Sequence, residues 1–187
     1  MKLKTDLNTY NNNSYSSGNF LARIIWYFFN AIFFKSSFFP FYSFKRVILK
    51  LFGADIGVNV IIKPNVNIKY PWKLKLGDYV WIGEGVWIDN LDFVSIGSHC
   101  CISQGALLLC GNHNYSKSSF DLMVKTIVLE EGVWIGAKSV VCPGVIIGSH
   151  GVLSAGSVLS NDIKPYEIYR GNPAERIKTR TIKRKFP

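Results

Sequence analysis

From residue 56 onward, apolar positions return every six residues, a step that fits neither the 3.6 of a helix nor the 2 of a half-buried strand. Aliphatic side chains stand at Ile56, Ile62 and Ile68, then at Leu76, Ile82 and Ile88, at Ile96, Ile102 and Leu108, at Leu129, Ile135 and Val141, and at Ile147, Leu153 and Leu159. Glycine or another small residue often follows, as in "IGEGVW", "IGSHCC", "IGAKSV" and "IGSHGV". Short strands joined by tight turns account for this. Glycine accepts turn angles that other residues avoid, and the aliphatic side chain stacks inward, coil upon coil. Three hexads close one triangular turn, so residues 55–163 are expected to form a parallel β-helix of about five coils, an all-β fold.

The irregular steps carry the functional signal. The spacing lengthens to eight between Ile68 and Leu76, to eight again between Ile88 and Ile96, and to 21 between Leu108 and Leu129. Each extra stretch follows a third hexad, so all three insertions are expected to leave one corner of the prism. The longest, loop 111–126, carries His113 in "GNHNYS". Long loops in compact domains tend to be functional or disordered.

Residues 1–54 precede the repeat. The first nineteen are polar and rich in Asn and Ser, expected to be poorly ordered or draped on a surface, with no readable chemistry. The aromatic stretch "FLARIIWYFFNAIFFKSSFFPFYSFKRVILKLFG" follows, and its longest uncharged run, Ile24 to Phe34, is shorter than the ~20 residues of a membrane span. Two helices broken near Pro40 are expected. They either pack on the repeat or lie in a membrane interface with Arg23, Lys35, Lys45, Arg46 and Lys50 toward lipid headgroups. Residues 164–187 form a basic C-terminal segment ending "RIKTRTIKRKFP".

At 187 residues the chain fits one domain with appendages. Its four cysteines show no CxxC spacing, and no signal-peptide order opens the chain, so a reduced, cytoplasmic protein is expected, at the inner face of the membrane if the aromatic segment binds lipid. A net charge of +10 points to an anionic partner without choosing among nucleic acid, a phosphorylated cofactor and a membrane face.

The repeat, the "GNHNYS" loop, "VWIGAKSVVCPGVIIGSHGVLSAGSVLSNDI" and the exit "YRGNPAERIK" together resemble the hexapeptide-repeat acyltransferases, and "WIDNLDFVSIGSHCCISQGALLLCGNHNY" with "LNTYNNNSYSSGNFLARIIWY" resembles their colanic-acid type of O-acetyltransferase, near the galactoside and maltose acetyltransferases. The resemblance implies a left-handed β-helix, a homotrimer with active sites between subunits, and direct transfer of acetyl from acetyl-CoA to a carbohydrate acceptor. It also implies that His113 is the base. Imidazole, with an unperturbed pKa of about 6.5, suits proton removal from a sugar hydroxyl; the other reading of His113 is a solvated loop residue.

Asp89, one coil before the loop, is the first candidate to hold the second nitrogen of that imidazole, and Asn90 the second; both also read as turn residues making local backbone bonds. Where galactoside-type relatives have asparagine, this chain has Gly83. For coenzyme A, the resemblance implies contacts at Ala137 and Ala155, with Gly156 beside them, and at Ser160. Ser160 and Asn161 stand where relatives often have Thr-Lys, and Glu175 where galactoside relatives have Arg. Lys178 matches a phosphate-binding position, with Arg176 and Arg180 as substitutes for the missing cations or as parts of a solvated tail.

A metal site built on His99 and His150 is disfavoured: they fall two coils apart, each strand spacing is about 4.8 Å, and zinc ligands sit about 2 Å from their ion. No metal is expected. Three further readings stay open: N-acetylation of an amino sugar, acetylation of another small acceptor, and a non-enzymatic anionic-surface binder. No nucleic-acid fold signature accompanies the charge.

Overall fold

The computed structural model describes residues 3–183. Strands of two or three residues cannot persist alone; here each pairs in parallel with its counterpart one coil away, so that Ile62, Ile82, Ile102, Ile135 and Leu153 lie in register one above the next. The strands make three faces. Face A runs through Asp55–Ile56, Leu74–Leu76, Val94–Ile96, Ile127–Leu129 and Ile146–Ile147. Face B runs through Ile61–Ile62, Trp81–Ile82, Cys101–Ile102, Trp134–Ile135 and Val152–Leu153, and face C through Asn67–Ile68, Trp87–Asp89, Leu107–Leu109, Val140–Val141 and Val158–Leu159.

These are the five expected coils, and a partial sixth follows. Ile163 bridges Ile147, and Glu167–Gly171 extends face B by pairing with Val152–Leu153 before Ala174–Thr179 folds back on it antiparallel. Much of the basic C-terminal segment is therefore sheet; its last residues, 184–187, lie outside the described ones.

No hexad aliphatic residue exceeds 4% exposure. A second inward column, two residues earlier in each hexad, includes Val60, Val66, Val80, Val86, Cys100, Ala106, Val133 and Val145. Each fully buried aliphatic side chain stabilises the prism by about 1.5–3 kcal/mol. The corner between faces A and B turns through left-handed residues: Asn59, Tyr79, His99, Gly132, His150 and Tyr166, with φ between 53° and 69°. His99 and His150 are thus corner residues, stacked on Tyr79 and packed against Tyr166, with the Gly132 coil between them. Among the described residues no three His, Cys, Asp or Glu side chains gather as a metal site would require.

An open end of such a prism would expose inward side chains and unpaired backbone. Two helices close it, as expected from the break near Pro40. Helix α1 (Phe20–Phe29) is capped by Asn19, whose side chain accepts from Ala22 N at 3.1 Å, and it runs into a π-helical turn, Asn30–Phe34. Helix α2 (Tyr42–Leu51) follows. Trp26 and Phe34 are buried over the first coil, and Trp26 Nε1 donates to Ile68 O at 2.8 Å. Lys45 is fully buried and donates to Lys63 O at 3.0 Å; burial pushes its pKa down to about 8. Among the described residues no helix is long and apolar enough to cross a membrane.

Candidate active site

The three insertions leave the corner between faces C and A, as the spacing predicts, and they stack. Residues 69–73 and 89–93 are joined by Asn90, which is fully buried: its Oδ1 accepts from Lys69 N at 3.1 Å and Tyr70 N at 3.0 Å, and its Nδ2 donates to Tyr70 O. The third insertion begins against the second, with Cys110 N donating to Asp89 O at 3.2 Å and Gly111 so close to Leu91 that a Cβ there would lie 2.4 Å from its Cδ1.

That third insertion is a hairpin. Gly111–His113 pairs antiparallel with Leu122–Val124, placing His113 opposite Leu122. Asn114 N donates to Asp121 O at 2.8 Å and Lys117 pairs with Asp121 at 3.0 Å, fixing the tip. Phe120 adopts φ +52°, a left-handed conformation that an aromatic residue seldom takes and that costs about 1–3 kcal/mol. It presents its carbonyl to His113 Nδ1 at 2.9 Å while its ring stacks on the imidazole at 4.5 Å with 6° between the planes. A carbonyl only accepts, so Nδ1 is the donor of this bond, and in the neutral imidazole Nε2 keeps its lone pair.

The group that orients His113 is therefore the Phe120 carbonyl, and neither Asp89 nor Asn90 bonds its second nitrogen. Asn90 is committed to backbone. Asp89 lies 3.1 Å from Lys69 Nζ as an ion pair, although Oδ1 receives no hydrogen bond of good geometry. Nothing in the sequence distinguishes Phe120 for this task, because every residue carries a carbonyl.

The N-terminal segment, expected to hold no chemistry, forms the cleft's outer wall. Asp6 N donates to Ser118 O at 2.8 Å, Tyr15 Oη donates to Leu91 O at 2.8 Å, and Lys73 Nζ donates to Ser16 O at 2.9 Å and Leu91 O at 2.6 Å while lying over the Tyr15 ring. Burial, with Tyr70 and the carboxylates of Asp89 and Asp92 adding to it, holds the Tyr15 phenol above its usual pKa; burial lowers that of Lys73, opposed by Asp92. Tyr10 stands 6.0 Å from the His113 ring. The result is a solvent-open polar cleft of about 610 Å³ walled by Tyr10, Asn12, Asn13, Arg23, Lys69, His113 and their neighbours.

The other candidates lie elsewhere. Ala137, Ala155 and Gly156 sit together at the corner between faces B and C, with Gly156 N donating to Ala137 O at 2.8 Å. Ser160 is exposed just after face C in the fifth coil, and Lys178 is exposed on Ala174–Thr179. None of the five lines the His113 cleft. Arg176 is held by Glu167 at 2.7 Å, and Arg180 donates to Gly132 O at 3.0 Å and His150 O at 3.1 Å, so both are engaged within the fold.

Residues 126–161 match the family model described as bacterial transferase hexapeptide (six repeats). The Escherichia coli K12 protein WcaF, named for acetyltransferase activity in colanic acid biosynthesis, is 38% identical over 166 residues, 89% of this chain and 91% of its own. Galactoside O-acetyltransferase of the same strain is 28% identical, over 72% of this chain and 68% of its own. Among solved structures, the hexapeptide-repeat acetyltransferase VCA0836 of Vibrio cholerae O1 biovar eltor, complexed with acetyl coenzyme A, superposes with a TM-score of 0.79 at 20% identity, covering 92% of this chain and 94% of that one.

If Asn90 is the staple between insertions, Asn90→Ala orphans the Tyr70 N–H, at a cost of about 1–3 kcal/mol, while Lys69 N keeps Ile88 O at 3.1 Å. Urea denaturation should register that loss, and Asp89→Asn should not share it. Equal stability of the Asn90→Ala and parent proteins would remove the staple.

Proposed function

The chain belongs to the bacterial hexapeptide-repeat acetyltransferases, and on that premise we propose the acceptor and the base. The protein moves the acetyl group of acetyl-CoA to a hydroxyl of a surface-polysaccharide sugar or its precursor, and His113 takes the proton. The observation that carries this reading is the bond from His113 Nδ1 to Phe120 O, 2.9 Å, which in the neutral imidazole leaves Nε2 as the acceptor, on a residue that lines a polar cleft of about 610 Å³. As the acceptor oxygen attacks the thioester carbonyl, its proton passes to Nε2, the new C–O bond forms and the C–S bond breaks; the proton then leaves with the thiol of coenzyme A. Likeness to WcaF and to galactoside O-acetyltransferase supports a sugar hydroxyl as acceptor.

The separation of His113 from Ala137, Ala155 and Gly156 supports an assembly in which one copy offers the hairpin and the next offers the small-residue corner. A homotrimer meets that need, with Ser160 and Lys178 toward the donor. The reading also sets the protein at the inner face of the membrane, supported by the exposed Leu21, Tyr27, Phe28 and Ile32 on the N-terminal helices.

His113→Ala should lower kcat by roughly 10²–10⁴, the range for a positioned base, and leave acetyl-CoA affinity nearly intact. The acid limb of kcat/KM present in the parent should be missing from the variant. Parental kcat in His113→Ala, measured by thiol release with the sugar acceptor, would take His113 out of the chemistry; turnover with amino sugars alone would replace O- by N-acetylation.

For the donor groove, light scattering should give the mass of three 21.1 kDa chains, and Lys178→Ala should raise the acetyl-CoA KM more than it lowers kcat, less so at high salt. An active monomer would sink the inter-subunit groove. Flotation with anionic vesicles tests the membrane setting: the protein should rise with them, and failure to rise with either anionic or neutral vesicles would rule it out.

A further inference from the structure

The His113 cleft continues into a second cavity. Arg23, Lys69 and Tyr70 line both, and beyond them a trough of about 570 Å³ runs between α1 and the outer side of face C. Its remaining walls are largely aromatic and aliphatic, including Phe20, Ile24, Trp26, Tyr27, Phe28 and Trp87. The two spaces differ in kind. One is rimmed by Asn12, Asn13 and His113, the other mainly by apolar side chains with Asn30, Lys35 and Asn67 among them, and two cations, Arg23 and Lys69, stand where they meet.

Those two cations share one carboxylate. Arg23 is exposed and makes no ion pair among the described residues. Lys69 has Asp89 at 3.1 Å, yet remains 39% exposed, and a single carboxylate cannot balance both. A polar cleft, a cationic junction and an apolar trough, in that order, match a molecule built the same way: a sugar, then a phosphate or diphosphate, then a long hydrocarbon chain. We infer that the acceptor is a sugar carried on a lipid phosphate, with the sugar hydroxyl at His113, the phosphate between Arg23 and Lys69, and the chain in the trough against α1. The tail leaves over Leu21, Phe28 and Ile32, which are 63%, 57% and 58% exposed and continue the apolar surface outward. A helix that only rested on a membrane would need no trough opening into the catalytic cleft. The chemistry at His113 rests on the acetyl-transfer reading, but the occupancy of the trough does not.

The test is therefore a binding measurement. Trp26 and Trp87 line the trough, so tryptophan fluorescence of the full-length protein can be followed as farnesyl diphosphate, farnesol or inorganic pyrophosphate is added. Farnesyl diphosphate should bind saturably, at least ten-fold more tightly than farnesol or pyrophosphate. Arg23→Gln should weaken it at least ten-fold toward the farnesol value, and Ile24→Glu, at an exposed position, should weaken both lipids. His113→Ala should bind it as the parent does, so that loss of acetyl transfer and loss of lipid binding are read separately. Equal affinity for farnesol and farnesyl diphosphate would overturn the phosphate clamp. Displacement by coenzyme A would assign the cations to the donor, and absence of binding would mean that another copy of the chain covers the trough; either result overturns the inference while leaving acetyl transfer intact.

Discussion

Backbone hydrogen bonding from coil to coil, at one strand spacing of about 4.8 Å, is the constraint on which the rest of the structure depends. It requires neighbouring turns to approach so closely that, at the corner between faces B and C, a Cβ at Gly136 would lie 2.3 Å from Ala155 N and one at Gly83 2.8 Å from Gln104 N, and, at the corner between faces A and B, one at Gly77 would lie 2.6 Å from Ser98 N. Two of the three corners are therefore closed to elaboration. At the third, insertions survive because they can bond to one another: Asn90 joins the first to the second, and Cys110 N joins the second to the third. The loop bearing His113 is the outermost layer of that stack. Gly83 belongs to the same constraint. The amides lining the His113 cleft are Asn12 and Asn13 of the N-terminal segment.

The way His113 is held follows from the same economy of backbone. A carboxylate partner would add a buried negative charge beside the ring; the Phe120 carbonyl fixes the tautomer without one. Asp89, the nearest acid in the second insertion, is turned to Lys69, which also stands at the cleft wall. The Phe120 ring stacks on the imidazole and the Tyr10 ring lies 6.0 Å from it, so its plane is set by packing as well as by a hydrogen bond. Such doubly determined geometry suits a base that must meet its acceptor in one orientation.

The hexads were legible because each obeys one spacing and one burial demand, and the common corner of the insertions followed from counting alone. The second inward column was harder to see, since Val, Cys, Ala and Ser alternate there and small residues suit turns equally well. Asn90 was visible as a candidate, but its role could not be read. An amide between Asp89 and Leu91 serves a turn or a substrate with the same chemistry, and only its burial and its three backbone bonds distinguish them. The partial sixth coil escaped because Ile163 follows Leu159 by four residues instead of six, and the next position in register, Tyr169 opposite Leu153, is aromatic rather than aliphatic. The N-terminal wall escaped for a different reason: its contacts reach Leu91 and Ser118, far along the chain, and polar residues without periodicity announce no partner.

Helix α1 shows how closure of the fold and construction of the cleft are joined. An amphipathic cap would bury one stripe and leave the opposite side polar, yet this helix is apolar nearly all round. Trp26 on the inner side closes the first coil, reinforced by Asn30 in the following π turn, whose amide donates to Asn67 Oδ1 at 2.7 Å. Arg23 and Tyr27, on the adjoining side, line the trough. With about 100° between successive residues, a helix that turns Trp26 inward turns Tyr27 to the trough and leaves Phe28, which also lines it, 57% exposed. The apolar side chains of this helix are thus divided among three surfaces, the core, the trough and the outside. The charge at residue 23 marks where the trough meets the His113 cleft.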